Sequence, residues 1–88
     1  MKKMAFNDNK NVICRQLKAA RIHAGLSQNQ LAAKMQLLNI NIDQQIISRI
    51  EHNKRIVTDY ELACFCEILA VDEKTLLQDF SSIAETYN

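Results

Sequence analysis

Four polar residues near the middle of the chain have the types and spacing that suit hydrogen bonding to the edges of nucleic-acid bases. They are Gln44, Gln45, Ser48 and Arg49. A glutamine amide can bond adenine through two hydrogen bonds, and an arginine guanidinium can bond guanine in the same way. Arg49 follows Gln45 by four positions, so a helix would place both side chains on one face. Taken alone, these four residues would be better interpreted as the solvated face of a surface helix.

The residues before this group predict two helices joined by a short turn. An apolar stripe with three- and four-residue spacing predicts a first helix over about residues 11–24. Gly25 is placed to end that helix in the left-handed conformation. Ser27 is then the expected N-cap of a second helix, which begins at Gln28.

The polar group itself lies at the start of a predicted third helix. Asp43 is a suitable N-cap for this helix. The helix should run to about His52, with Ile47 and Ile50 facing the core. Asn53 follows at the point where the chain must leave the helix, and asparagine tolerates the left-handed conformation better than most residues.

Between the second and third predicted helices, residues 36–42 are strongly apolar. They include Leu37, Leu38, Ile40 and Ile42. A solvated loop would not carry four such side chains so close together. We therefore expect an extended second helix or a longer turn whose leucine and isoleucine side chains pack onto the core.

The last third of the chain predicts two more helices. Thr58-x-x-Glu61 has the form of a capping box and predicts the start of a fourth helix. A fifth helix should begin at Asp72 and carry Leu76, Leu77 and Phe80. The chain then divides into a flexible tail over residues 1–10, one domain over residues 11–84 and a C-terminal tail over residues 85–88.

The stretch from Leu17 to Glu51 resembles the phage-repressor and Cro-like helix-turn-helix family, also called the XRE family. It reads LKAARIHAGLSQ, then LAAK, and after the longer turn IISRIE. The resemblance covers about residues 13–77. It implies an all-α, five-helix repressor-like domain with a lengthened turn between helices two and three. It also implies that the third helix enters the major groove of double-stranded DNA.

The resemblance further assigns roles to single residues. It implies base contacts for Gln44, Gln45 and Arg49, with Ser48 beside them within reach of a base edge or a phosphate. The predicted contacts to backbone phosphates are Ser27 and Gln28 at the start of the second helix, and Asn53, Lys54 and Arg55 after the third. The resemblance also implies a partly buried structural salt bridge between Arg21 and Glu51.

Charge is divided unevenly along the chain, although its net charge is only +1. Residues 1–55 hold ten lysines and arginines against three acidic residues, a net charge of +7. Residues 56–88 hold one lysine against seven acidic residues, a net charge of −6. This polarity would present a basic face to DNA while the acidic half faces away.

The sequence offers no catalytic set, no metal site and no cofactor-binding motif. His23 and His52 fall on different predicted helices without a nucleophile–base–orienter trio. The single glycine excludes a glycine-rich phosphate-binding loop. Cys14, Cys64 and Cys66 are odd in number and lack the paired spacing of a zinc site, so we expect reduced thiols in or near the core. We expect a non-enzymatic cytoplasmic protein with no signal peptide and no membrane contact.

These observations predict a sequence-specific transcriptional regulator of the repressor type, acting as a homodimer on an inverted repeat. The outer residues of the last helix, Phe80 and Ile83, are the expected dimer contacts. The alternative is an antitoxin-type or other protein-interaction module on the same scaffold, which would hold a protein partner through the acidic half of the chain.

Overall fold

The computed structural model describes residue 6 and residues 8–85, and over these residues the fold is entirely helical. The helices are α1 (Cys14–His23), α2 (Gln28–Leu37), α3 (Gln44–Glu51), α4 (Asp59–Leu69), α5 (Glu73–Leu76) and α6 (Phe80–Glu85). The predicted all-α class is confirmed. The predicted tail residues 1–5, 7 and 86–88 lie outside the described residues.

The helices α2 and α4 begin at reciprocal side-chain caps. The Ser27 hydroxyl accepts a hydrogen bond from the Gln30 backbone N–H at 3.0 Å, and the Gln30 side chain accepts one from the Ser27 N–H at 2.8 Å. Thr58 and Glu61 form the same box at the start of α4. Because each box satisfies backbone donors that a helix leaves free, it fixes the residue at which the helix starts.

Left-handed residues mark the helix ends that the sequence predicted. Gly25 follows α1 with φ of 75°, and Asn53 follows α3 with φ of 60°. Two further helix ends have left-handed residues that were not predicted: Asn39 after α2 and Ala70 after α4. Each ends its helix abruptly, so the four longest helices pack as separate short rods.

The first helix begins later than predicted because the chain before it is held by a side chain. Asn11 is buried, and its Oδ1 accepts a hydrogen bond from the Ile13 backbone N–H at 3.1 Å. Helical turns therefore begin only at Cys14, after Ile13 as N-cap.

The predicted fifth helix is divided into α5 and α6 by a turn over residues 77–79. In this turn the Asp79 carboxylate accepts hydrogen bonds from Arg15 at 2.9 Å and 3.2 Å and from Gln16 at 3.3 Å. The guanidinium holds the pKa of the Asp79 carboxyl below its usual range. The turn thus ties the C-terminal part of the domain to α1.

One hydrophobic core joins the helices. Its fully buried large side chains are Leu17, Leu31, Met35, Ile42, Ile47, Ile50, Phe65 and Leu76. They come from α1 to α5 and from the connection between α2 and α3. This shared core fixes the angle at which α3 leaves α2, because a shift of either helix would open cavities in close-packed surroundings.

The lengthened connection over residues 38–43 is only partly packed as predicted. Ile42 is fully buried and Ile40 is half-buried, which agrees with the prediction. The prediction is wrong for Leu37, which is 83% exposed, and for Leu38, which is 43% exposed. Leu37 is the last residue of α2 and lies on its exposed face, so the helix itself directs this side chain away from the core. Ile40 and Ile42 follow the left-handed residue Asn39 and lie inward.

Candidate nucleic-acid interface

The helix α3 has one buried and one exposed face. Ile47 and Ile50 are fully buried on the core side. Gln45 and Arg49 are exposed, and they stand one helical turn apart, about 6 Å along the axis. Because Ile47 and Ile50 anchor α3 in the core, the position of its exposed face is fixed by the fold.

Arg49 differs from the other arginines of the chain because it makes no ion pair with any residue that the structure describes. Its side chain is exposed at the end of the α3 face. The other three arginines form ion pairs within the protein: Arg15–Asp79 at 2.9 Å, Arg21–Glu51 at 2.7 Å and Arg55–Glu61 at 3.0 Å. The fold therefore leaves one guanidinium available to an external ligand.

Gln44 and Gln28 are connected to each other across the starts of α3 and α2. The Gln44 Nε2 donates a hydrogen bond to Gln28 Oε1 at 2.6 Å. The Gln28 Nε2 in turn donates to Glu51 Oε1 at 3.0 Å. Both glutamines are half-buried. The hydrogen bonds between them and to Glu51 fix the direction of each side chain.

A buried ion pair lies behind these glutamines. Arg21 donates to Glu51 through Nε at 2.7 Å and through Nη2 at 3.1 Å. The two side chains are only 11% and 1% exposed, and the Arg21 Nη1 also donates to the Leu26 carbonyl at 2.9 Å. The hydrogen bond to Glu51 raises the pKa of Arg21. The structure thus contains the predicted Arg21–Glu51 bridge, and it extends the bridge to Gln28 and Gln44.

Ser48 is half-buried and stands beside His52 on α3. The His52 Nδ1 lies 2.7 Å from the Ser48 carbonyl oxygen and 3.4 Å from its hydroxyl. The His52 imidazole therefore packs against the last turn of α3.

The three residues after α3 differ in what their side chains do. The Arg55 guanidinium donates to Glu61 at 3.0 Å and 3.2 Å, so it is not the uncommitted cation that the sequence predicted. Burial opposes ionisation of Glu61, but the bonds from Arg55 and Thr58 outweigh it and lower the pKa of Glu61. The Lys54 side chain is exposed. Lys54 is therefore the cation that this loop offers.

Asn53 has a structural task that the sequence did not reveal. Its Oδ1 accepts hydrogen bonds from the backbone N–H of Lys10 at 2.8 Å and of Asn11 at 3.2 Å. Its Nδ2 donates to Asn9 Oδ1 at 2.7 Å. The Asn11 amide in turn donates to the carbonyl oxygens of Ile50 and Arg55 at 3.0 Å each. We call Asn9, Asn11 and Asn53 the asparagine clasp; it attaches residues 9–11 to the end of α3.

Sequence reasoning missed the clasp because it assigned Asn9 to a polar tail, Asn11 to the start of the first helix, and Asn53 to a left-handed turn and a phosphate contact. Three asparagines among residues 7–11 were the available signal, since asparagine commonly bonds backbone groups in turns. Asn53, the partner of Asn9 and Asn11, lies 44 and 42 positions later in the sequence, so spacing alone could not identify it.

The predicted dimer residues, Phe80 and Ile83, lie on α6. Phe80 is 46% exposed, and its ring stacks on Phe6 with 5.3 Å between ring centroids. Ile83 is half-buried. Beside Phe80 the surface forms an apolar groove of about 940 Å³ that includes Val12 and Leu77. This surface is formed by α5, α6, the turn between them and Val12 of the N-terminal segment.

Within the described part of the chain, the structure groups no three side chains that could hold a metal ion. The thiols of Cys14, Cys64 and Cys66 are unpaired, and burial raises the pKa of the Cys66 thiol. Among the described helices, none has the length and apolar character to cross a membrane.

Comparison with known proteins agrees with the geometry. A search of curated proteins gave no match. A family model described as helix-turn-helix matches residues 17–76, more than half of the chain. The matched region contains the capped α2, the whole of α3 and the Arg21–Glu51 bridge. The chain therefore belongs to the XRE-type helix-turn-helix family, a family of DNA-binding regulators of transcription and not of enzymes.

Proposed function

We propose that this regulator is a homodimeric repressor that reads an inverted repeat by placing α3 in the major groove of each half-site. The observation that carries the proposal is Arg49. It is an arginine without an ion-pair partner among the described residues, it is exposed, and it stands one turn from Gln45 on the face opposite to the buried Ile47 and Ile50.

The proposed base contacts follow from side-chain chemistry. Arg49 bonds guanine through O6 and N7, and Gln45 bonds the N6 and N7 atoms of adenine. Gln44 reaches a base edge from its position against Gln28, and Ser48 adds a contact to a base or a phosphate. The bond between the glutamines favours this arrangement, because a side chain held before binding loses less freedom when it binds.

The proposed phosphate contacts flank the base contacts on both sides. At the start of α2, the Ser27 hydroxyl, the Gln28 side chain and the first helical amides lie at the positive end of the helix dipole, which would attract a phosphate. After α3, the contacts are the backbone of Asn53 and Arg55 and the ammonium group of Lys54. These contacts orient the protein on DNA without selecting a sequence.

Dimer formation would supply the affinity that one short helix lacks. The helix α3 has eight residues and is about 12 Å long, so it spans only a few base pairs. Two copies related by a two-fold axis would read half-sites about 34 Å apart. We assign the contact between copies to Phe80 and Ile83, and transcription would be blocked when the dimer covers a promoter.

In vitro selection from random duplex DNA tests this function. We expect enrichment of an inverted repeat, and the selected duplex should then be titrated with the wild type, Arg49→Ala and Lys54→Ala. Arg49→Ala should cost about 1–3 kcal/mol and relax the preference at one base pair of each half-site. Lys54→Ala should weaken binding to all sequences alike and reduce the salt dependence.

Equal losses on every sequence from both variants would contradict the assignment of Arg49 to base reading. Absence of any enriched duplex would contradict sequence-specific binding and favour the alternative of a protein-interaction module. For the dimer, Phe80→Ser with Ile83→Ser should give a monomer in sedimentation analysis. An unchanged oligomeric state in a helical, cooperatively unfolding variant would contradict the assigned surface.

A further inference from the structure

We infer that Lys10 is an additional DNA-backbone contact, held beside the end of α3 by the asparagine clasp. This inference rests on the proposed function and extends its phosphate contacts to a residue outside the region that the family model matches, residues 17–76. It adds a binding residue from the N-terminal segment to a surface otherwise formed by α2, α3 and the loop after α3.

The backbone of Lys10 lies beside the end of α3. Its N–H donates to Asn53 Oδ1 at 2.8 Å, and Asn53 is the first residue after the C-cap of α3. Lys10 is therefore within one side chain's length of the residue that precedes Lys54. Lys10 and Lys54 therefore both lie at the C-terminal end of α3.

The C-terminal end of α3 is held by several hydrogen bonds. The Lys54 N–H donates to the Arg49 carbonyl at 2.8 Å, and the Asn53 N–H donates to the Ile50 carbonyl at 3.0 Å. These two bonds are the Schellman arrangement around a left-handed residue. The buried Asn11 amide adds bonds to the carbonyl oxygens of Ile50 and Arg55. The clasp therefore attaches Lys10 to a fixed part of the fold.

The ammonium group of Lys10 is available to an external anion. The Lys10 side chain is exposed, and it makes no ion pair with any residue that the structure describes. Arg55, the nearby cation of greater hydrogen-bonding capacity, is engaged with Glu61. A phosphate that approaches the loop after α3 would therefore meet Lys54 and Lys10, whereas the Arg55 guanidinium is already neutralised.

The test measures DNA affinity against salt concentration for the wild type, Lys10→Ala and the control Lys74→Ala. Lys74 is also an exposed lysine, but it lies on α5 in the acidic half. Over about 50–200 mM salt, loss of one phosphate contact should reduce the slope of log K against log salt by about 0.9. We expect this reduction for Lys10→Ala, with equal loss on selected and unrelated duplexes, and an unchanged slope for Lys74→Ala.

A second variant tests the clasp itself. Asn53→Gly removes the carboxamide but keeps a residue that adopts the left-handed conformation without strain. In this background, Lys10→Ala should change the slope by clearly less than it does in the wild type. Asn9→Ala, which removes one bond of the clasp at a half-buried site, should reduce the Lys10 effect in part if Asn53→Gly fails to fold.

The possible failures are distinguishable. A wild-type slope in Lys10→Ala, while Arg49→Ala still relaxes base preference, would overturn the Lys10 contact and leave the proposed function standing. An undiminished Lys10 effect in the Asn53→Gly background would overturn the positioning by the clasp. A wild-type protein that binds no duplex would overturn both the proposed function and this contact.

Discussion

Replacement of Glu51 by alanine should lower both the stability of the domain and its affinity for DNA, by two separable mechanisms. The Glu51 side chain is 1% exposed and accepts hydrogen bonds from Arg21 and Gln28. Its removal leaves the Arg21 guanidinium buried without a counter-charge. Breaking a buried pair in this way costs about 3–5 kcal/mol. The bond from Arg21 to the Leu26 carbonyl remains, so we expect the lower end of that range.

The loss of affinity follows from the glutamines in front of the ion pair. Without Glu51, Gln28 loses the acceptor that directs it, and Gln44 loses a fixed partner in turn. Ordering each side chain at an interface costs about 0.5–1.5 kcal/mol. Two such side chains correspond to about 1–3 kcal/mol, or roughly 5- to 150-fold in the dissociation constant.

A double substitution separates the two mechanisms. Arg21→Met with Glu51→Leu removes both charges together, and an apolar replacement of a buried pair is commonly neutral or stabilising. Urea unfolding should therefore return the double variant to near wild-type stability, whereas its DNA affinity should remain low. Glu51→Gln, which keeps an acceptor for Gln28, should lose less affinity than Glu51→Ala.

Two results would refute this reasoning. A loss below about 1 kcal/mol on Glu51→Ala would mean that the guanidinium finds water or another partner, as exposed pairs do. Wild-type affinity in the stable double variant would mean that Gln28 and Gln44 do not need the ion pair in order to bind DNA.

Four further substitutions test the fold. Gly25→Ala should cost about 1–2 kcal/mol in urea unfolding through backbone strain alone, because φ is 75° and an added Cβ meets no atom within 4 Å; a neutral result would contradict the strain. Ile42→Ala should cost about 2–5 kcal/mol, whereas Leu37→Ala should leave the unfolding midpoint nearly unchanged; equal losses would contradict their opposite burial. Glu61→Gln should destabilise the domain at neutral pH. Because the folded pKa of Glu61 is lowered, its contribution is present above the ordinary value of about 4.3 and is lost as pH falls through the folded pKa. The difference in unfolding free energy from the wild type should therefore shrink in acid, and a pH-independent difference would contradict this linkage.

The features that could be predicted from the sequence are those that local chemistry decides. Ser27, Asp43 and Thr58 cap helices because a side-chain oxygen reaches an amide three residues later, whatever the rest of the fold does. Gly25 and Asn53 adopt the left-handed conformation for reasons equally local. The start of α3 and its exposed polar face therefore follow directly from spacing.

The features that could not be predicted depend on partners distant in the chain. Leu37 and Ile42 have the same apolar character in the sequence, but Leu37 ends α2 on its exposed face, whereas Ile42 lies beyond the left-handed residue Asn39 and is buried. Arg55 and Lys54 are adjacent cations, yet only Arg55 meets a carboxylate, because the capping box of α4 brings Glu61 to it.

Ion pairing, more than the charge of each half of the chain, decides which cations can meet DNA. The half of the chain up to residue 55 carries a net charge of +7, but two of its arginines are neutralised by Asp79 and Glu61 from the acidic half. A third is neutralised by Glu51 at the end of α3. The acidic half therefore stabilises the scaffold by holding Arg15 and Arg55. Arg49 remains as the guanidinium without an ion-pair partner among the described residues, which is the state that its proposed contact to a base requires.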